Sequence, residues 1–326
     1  MGIPSADVSE LVERARRGDP RAVARLISLV ENASPRLREV MAALTPYAGN
    51  AIVIGLTGSP GVGKSTTTSM LLSAYRAQGK RVGVLAIDPS SPFTGGALLG
   101  DRVRMQEHAT DPDVYIRSMG TRGHLGGLSW ATPQATRVLD AAGCDVVIIE
   151  TVGVGQAEVE IASLADTTVV MLAPGMGDSI QAAKAGILEI ADVYVVNKAD
   201  RDGADHTIRD LRTMMTMAGK RSPDEWRVPI VKTVASRGEG SAELVEALAQ
   251  HREWLAASGT LQVRRTARIS DEIEALALTA LRAQMGDLRG GSLLGDLAGE
   301  VVAGDTDPYS AADRLLREVD PTQATG

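Results

Sequence analysis

Gly58-Ser59-Pro60-Gly61-Val62-Gly63-Lys64-Ser65 is a G-x-x-x-x-G-K-S string, the spacing of a loop that cradles phosphate. Its glycines let backbone N–H groups converge on phosphate oxygens without interference from a Cβ. Lys64 supplies a mobile cation, and a helix opening through Ser65 and Thr66 adds the partial positive charge of its N-terminus. The Ser65 hydroxyl is placed to ligate Mg²⁺. The apolar run Ala51 to Thr57 before the string and Thr66 to Leu72 after it supply the strand and helix that such a loop requires.

Two carboxylates follow apolar runs and point to the same chemistry. Asp88 closes Val82 to Ile87, and Glu150 closes Asp145 to Ile149. Asp101, beyond a glycine-rich stretch, is a third acid able to reach the same metal. Mg²⁺ takes one or two protein oxygens together with phosphates and water, so Ser65, Asp88, Asp101 and Glu150 are the candidate set. Glu150 could orient the metal through its water shell or polarise an attacking water. Lys64, Asp88, Asp101 and Glu150 are therefore the candidate catalytic residues.

Asn197-Lys198-Ala199-Asp200 closes Val193 to Val196 and is an N-K-x-D string. Asp200 can accept from N1–H and the exocyclic amine of guanine while the Lys198 stem covers the base plane. Adenine lacks that donor pair and would leave a carboxylate unsatisfied, at a cost on the order of 1–3 kcal/mol or more. The base is expected to be guanine. Val234-Ala235-Ser236 stands where a backbone N–H would meet the guanine O6.

These side chains need a scaffold that brings strand ends together. Strands are expected at Ala51 to Thr57, Val82 to Ile87, Val114 to Arg117, Asp145 to Glu150, Thr167 to Leu172, Val193 to Asn197 and Pro229 to Thr233. Alternation of near-continuous apolar strands with helices indicates an α/β fold, a mostly parallel, doubly wound sheet that binds ligands at its carboxyl edge. Three short helices precede it, opened by Asp7 or Ser9, Asp19-Pro20 and Ser34-Pro35. The second carries an apolar stripe of Val23, Leu26, Ile27 and Val30. After Trp254 the alternation stops, and Ile269, Ile273, Leu276, Ala280 and Leu288 recur at helical spacing, a face suited to a second copy or a partner. The expected division is 1–48, an N-terminal helical arm; 49–258, the nucleotide domain; and 259–326, a C-terminal helical arm.

Composition narrows the function classes. A net charge of -7 and a pI near 5.3 argue against a broad basic face for nucleic acid. His108, His124, His206, His251 and Cys144 lack metal-ligand spacing. No apolar run is long enough to span a bilayer and no signal peptide is apparent, so no membrane contact and a cytoplasmic location are expected. Arg117 to Leu128 and Pro174 to Lys184 follow strands and are candidate nucleotide-responsive or partner-facing loops.

The phosphate loop, Asp88-Pro89-Ser90-Ser91, Arg122-Gly123-His124-Leu125-Gly126-Gly127, Glu150-Thr151-Val152-Gly153-Val154-Gly155-Gln156 and Asn197-Lys198-Ala199-Asp200 occur in order. In this the chain closely resembles the methylmalonyl-CoA mutase-associated GTPases, cobalamin-chaperone P-loop NTPases formerly described as arginine/ornithine transport kinases. The resemblance implies GTP hydrolysis with Mg²⁺, a homodimer joined through C-terminal helices, which makes 259–326 a dimerisation arm, and association with an adenosylcobalamin-dependent methylmalonyl-CoA mutase whose cofactor loading it gates and which it protects or reactivates. It also implies that Lys184 contacts nucleotide from a switch loop. Two other readings compete: a kinase of a transport system binding protein, and an assembly factor that uses nucleotide only structurally.

Overall fold

Seven runs rich in Val, Ile and Leu pair into one sheet in which every described pairing is parallel: β1 (Ile52–Thr57), β2 (Val82–Asp88), β3 (Val114–Gly120), β4 (Val146–Thr151), β5 (Thr167–Leu172), β6 (Val193–Asn197) and β7 (Ile230–Thr233). Their order is β3-β2-β4-β1-β5-β6-β7. The computed structural model describes residues 7–88, 108, 110–120, 131–151, 157–175, 186–217, 225–284 and 292–319. Preceding β1 are α1 (Val8–Arg16), α2 (Pro20–Glu31) and α3 (Leu37–Leu44). Between and after the strands come α4 (Lys64–Ala77), α5 (Thr132–Ala141), α6 (Ala157–Leu164), α7 (Ala204–Met217), α8 (Ser241–Ala257), α9 (Thr260–Gln284), α10 (Ser292–Ala303) and α11 (Pro308–Val319).

The central strands β4, β5 and β6 are buried along their whole length, because helices cover both faces and no alternation with polar residues is needed. On one face Leu71 and Leu72 of α4 and Leu244 and Leu248 of α8 pack on Ile54, Ile148 and Val195. On the other, Leu139 of α5 and Ile161 of α6 join Leu85, Val147 and Ile149. The α2 stripe of Val23, Leu26, Ile27 and Val30 enters this second core and is at most 2% exposed. The N-terminal helices thus belong to the same compact unit as the sheet, residues 1–264.

Several boundaries differ from the sequence expectation by a residue or more, and three of them have a local reason. β1 begins at Ile52 because the Ala51 N–H donates to Asp140 instead of to the ladder. β3 runs on through Ser118 to Gly120, paired to β2 as far as Asp88↔Gly120; it is an edge strand, only partly buried, so polar residues are tolerated there. The third helix starts at Leu37, since the Ser34 hydroxyl accepts from the Arg36 N–H in a turn instead of capping the helix.

Residues 265–326 form a second compact unit. In it Arg314 of α11 pairs with Glu300 of α10, and Leu297 and Ala311 are buried. Ile269, Ile273, Leu276 and Leu281 of α9 stay exposed at 42%, 62%, 51% and 54%, too many large apolar groups on one helix to be incidental.

At the amino-terminal edge of β5 and β6 a polar knot closes the first unit. Asp192 accepts two hydrogen bonds from Arg264, both 2.9 Å, and one from the Thr168 N–H at 2.8 Å. His251, fully buried between Trp226 and Trp254, shares a hydrogen bond with the Thr167 hydroxyl at 2.8 Å. Burial lowers its pKa from 6.5 to about 4, with the Asp192 charge opposing the shift. The folded chain therefore keeps His251 neutral where the unfolded chain protonates it, so stability falls as pH drops from 6.5 toward 4. At roughly 1.4 kcal/mol per pH unit that loss is about 3 kcal/mol. Urea unfolding of wild type and His251→Gln across this range checks it: the substitution removes that part of the acid sensitivity, and identical pH slopes would contradict the assignment.

Candidate functional site

β1 ends in the loop 58–63, and α4 starts at Lys64. Gly58, Gly61 and Gly63 hold φ of 139°, 82° and 99°, values that residues with a side chain rarely adopt. Space is excluded as well: a Cβ on Gly58 would lie 2.3 Å from the Met171 carbonyl oxygen, and one on Gly63 would lie 2.4 Å from Asn197 Nδ2. The loop is thereby shaped by β5 and β6 as much as by its own sequence.

The Lys64 ammonium, 7% exposed, turns back over this loop and donates to the Gly58 carbonyl at 2.6 Å and the Ser59 carbonyl at 3.2 Å. One residue on, Ser65 Oγ donates to Glu150 Oε1 at 2.5 Å, while Thr68 Oγ1 donates to Glu150 Oε2 at 2.8 Å. Glu150 reaches them because β4 lies beside β1 with Glu150 opposite Leu56. Below it, the Thr151 and Thr57 hydroxyls are 3.2 Å apart across the same pair of strands. The result is a buried spot holding two hydroxyls and a carboxylate next to a cation.

β6 contributes a second wall. Asn197 donates through Nδ2 to the Val62 carbonyl at 2.8 Å and accepts through Oδ1 from Thr233 Oγ1 and the Ala235 N–H, both at 3.1 Å. Its amide joins the phosphate loop, the end of β6 and the turn after β7, which carries Val234 and Ala235, both buried, and exposed Ser236. Lys198 adopts a left-handed φ of 56° and donates to the Gly61 carbonyl at 2.6 Å. Asp200 stays exposed, its Oδ2 3.7 Å from the Arg237 guanidinium.

The structure thus brings Gly58 to Thr66, Glu150, Asn197, Lys198, Asp200 and Val234 to Ser236 to the carboxyl edges of β1, β4, β6 and β7. The Asp88 backbone ends β2 beside β4, with Ala86 opposite Glu150. The Asp88 side chain, Asp101, Lys184, Arg122 to Gly127, Val152 to Gln156 and Met176 to Lys184 lie outside the described residues. Two neighbours of the site were not read from sequence. Thr68 stands three residues after Ser65, the spacing that puts two helical side chains on one face, and this could have disclosed it. Arg237 approaches Asp200 only through the turn after β7, and nothing in its sequence context signals that.

A backbone cradle with a cation and an acid-hydroxyl pair beside it is the arrangement of a P-loop nucleotide triphosphatase. Comparison with known proteins agrees. Residues 23–288 match the family described as methylmalonyl Co-A mutase-associated GTPase MeaB. A Pyrococcus abyssi protein named as a GTPase is 49% identical over 314 residues, 96% of this chain and 97% of that protein. GTPase ArgK of Escherichia coli is 38% identical over 268 residues, 80% of each chain. A crystal structure of an LAO/AO transport system kinase superposes with a TM-score of 0.71 at 28% identity, over 98% of this chain and 99% of that one. The chain belongs to the methylmalonyl-CoA mutase-associated GTPase family, and it is a P-loop GTPase.

Proposed function

We propose that this GTPase is a nucleotide-driven switch on an adenosylcobalamin-dependent methylmalonyl-CoA mutase, gating entry of the cofactor and protecting or reactivating the enzyme. The observation that carries the reading is the family match over residues 23–288, whose description names association with that mutase. GTP would lie with its phosphates over 58–66 and its base against Lys198, Asp200 and the turn 234–236. Lys64 and the loop N–H groups would stabilise the charge that develops on the phosphoryl oxygens, and water would be the nucleophile.

The site's donor chemistry fits Mg²⁺, a hard cation that prefers oxygen. Ser65 Oγ and Glu150 already meet in one buried spot at 2.5 Å; with Asp88 and Asp101 they would hold the ion, which would neutralise charge on the β- and γ-phosphates. Glu150 then keeps the Ser65 and Thr68 hydroxyls oriented. Lys184 would approach the nucleotide from the loop after β5. The chain would work in the cytoplasm as a homodimer through the exposed apolar face of α9, apart from nucleic acid and membrane. No helix among the described residues is long and apolar enough to cross a bilayer.

Co-purification with a cobalamin-dependent mutase, in GDP and in a non-hydrolysable GTP analogue, tests the reading. A complex whose affinity depends on the nucleotide, and a GTPase rate that rises in it, are the expected results. The absence of both would remove the mutase role while leaving the GTPase intact. The name of the structural relative favours a second reading, a kinase acting on a transport protein. Transfer of labelled γ-phosphate to a protein acceptor instead of water would establish that alternative.

A further inference from the structure

A cavity of about 760 Å³ opens at the amino-terminal edge of the sheet, the opposite end of the strands from the nucleotide loop. Its accessible apolar lining is Ile52 of β1 together with Val245 and Ala249 of α8, with Ile54, Val146 and Leu248 buried behind them. The volume falls in the range of small-molecule sites, which combine an apolar lining with a few placed polar groups. Two such groups are present. Tyr75, near the end of α4, is only 7% exposed, lines the cavity, and its hydroxyl makes no hydrogen bond among the described residues. That hydroxyl is therefore free to donate to a ligand atom in the cavity. Arg252 of α8 lines the same cavity and makes no ion pair or hydrogen bond among the described residues. Burial raises the Tyr75 pKa to about 12, and Arg252 is the charge that opposes the rise.

Most other charges around the opening are engaged. Asp140 accepts from the N–H groups of Gly49, Asn50 and Ala51. Lys80 lies 3.5 Å from Asp145, and Arg16 pairs with Glu13 while resting over the Tyr47 ring. Glu253 is exposed and is not among the groups that perturb Tyr75.

We propose that this cavity is a second ligand site, for a small aliphatic monocarboxylate whose chain lies on Ile52 and Val245 and whose carboxylate is held by Tyr75 and Arg252. A phenol donor beside a planar guanidinium matches a carboxylate, and the guanidinium repels an ammonium. The test uses the full-length GDP-loaded chain, followed by methyl NMR and titrated separately with hexanoate, 1-hexanol and hexylamine. Hexanoate is expected to shift the Ile52 and Val245 methyls saturably, with the two other probes on the order of tenfold weaker because they forgo the charge-assisted bonds. Arg252→Glu should weaken hexanoate by about tenfold or more, Tyr75→Phe several-fold, and Ala249→Trp should abolish binding by filling the space. Arg252 and Ala249 are exposed, so those two variants should fold and retain GDP binding. Equal binding of the three probes, preference for hexylamine, indifference to Arg252→Glu and Ala249→Trp, or no saturable shift at all would each overturn the proposal.

Discussion

Lys64→Ala is expected to lower single-turnover GTP hydrolysis by about 10²- to 10³-fold, the usual loss when one preorganised donor to a developing oxyanion is removed. The ammonium is nearly buried and lies against the carbonyls of Gly58 and Ser59, so it is held over the loop before any phosphate arrives. That preorganisation is why the effect should fall on the rate more than on the fold. Lys64 is the first residue of α4, so alanine leaves the helix intact. Its removal does leave two loop carbonyls without their cation, and some loss of nucleotide affinity should accompany the rate effect. Lys64→Arg separates the contributions: it restores a charge to the loop but not a compact ammonium, so affinity should recover more than rate. A Lys64→Ala protein that hydrolyses GTP at the wild-type rate would remove this residue from the chemistry.

Asp200→Asn should exchange base preference and leave hydrolysis per bound nucleotide nearly unchanged. A carboxylate accepts from both guanine donors, whereas an amide offers one acceptor and one donor and suits xanthine. Sites built to hydrogen-bond a particular group reject analogues by large factors because buried partners go unpaired, and a hundredfold or greater drop in GTP affinity, on the order of two charged hydrogen bonds, is the expectation. Xanthosine triphosphate should gain what GTP loses. Asn197 gives the contrasting control: its amide bonds to Val62, Thr233 and Ala235, so Asn197→Ala should disorganise the loop and weaken every nucleotide alike. Competition binding with GTP, ATP and xanthosine triphosphate reads both cases. Unchanged guanine preference in Asp200→Asn would place the base elsewhere.

Much of this arrangement was legible before any coordinates. The strand runs were visible because a sheet covered on both faces needs continuous apolar residues, as in Val146 to Ile149. The phosphate loop was visible because positive φ at Gly58, Gly61 and Gly63 admits few other residues. Asp200 was a candidate because guanine would demand a carboxylate there, and the fold brings it to the carboxyl edge beside the loop. Boundaries were less so where a side chain competed with the backbone, as Asp140 does for the Ala51 N–H and Ser34 for the start of α3.

By itself, then, the sequence determined which residues could meet phosphate, metal and guanine, and the type of sheet that would carry them, since local spacing and hydrophobic period are properties of the chain. Only the tertiary structure decided how they are held. Glu150 gains Thr68 as well as Ser65, Asn197 joins the phosphate loop to the end of β7 and the turn after it, Asp192 gathers Arg264 beside His251, and Tyr75 meets the cavity that Arg252 lines. Each of these joins residues far apart in the chain, and the strand order that brings them together is set by packing over the whole sheet, which no local pattern encodes.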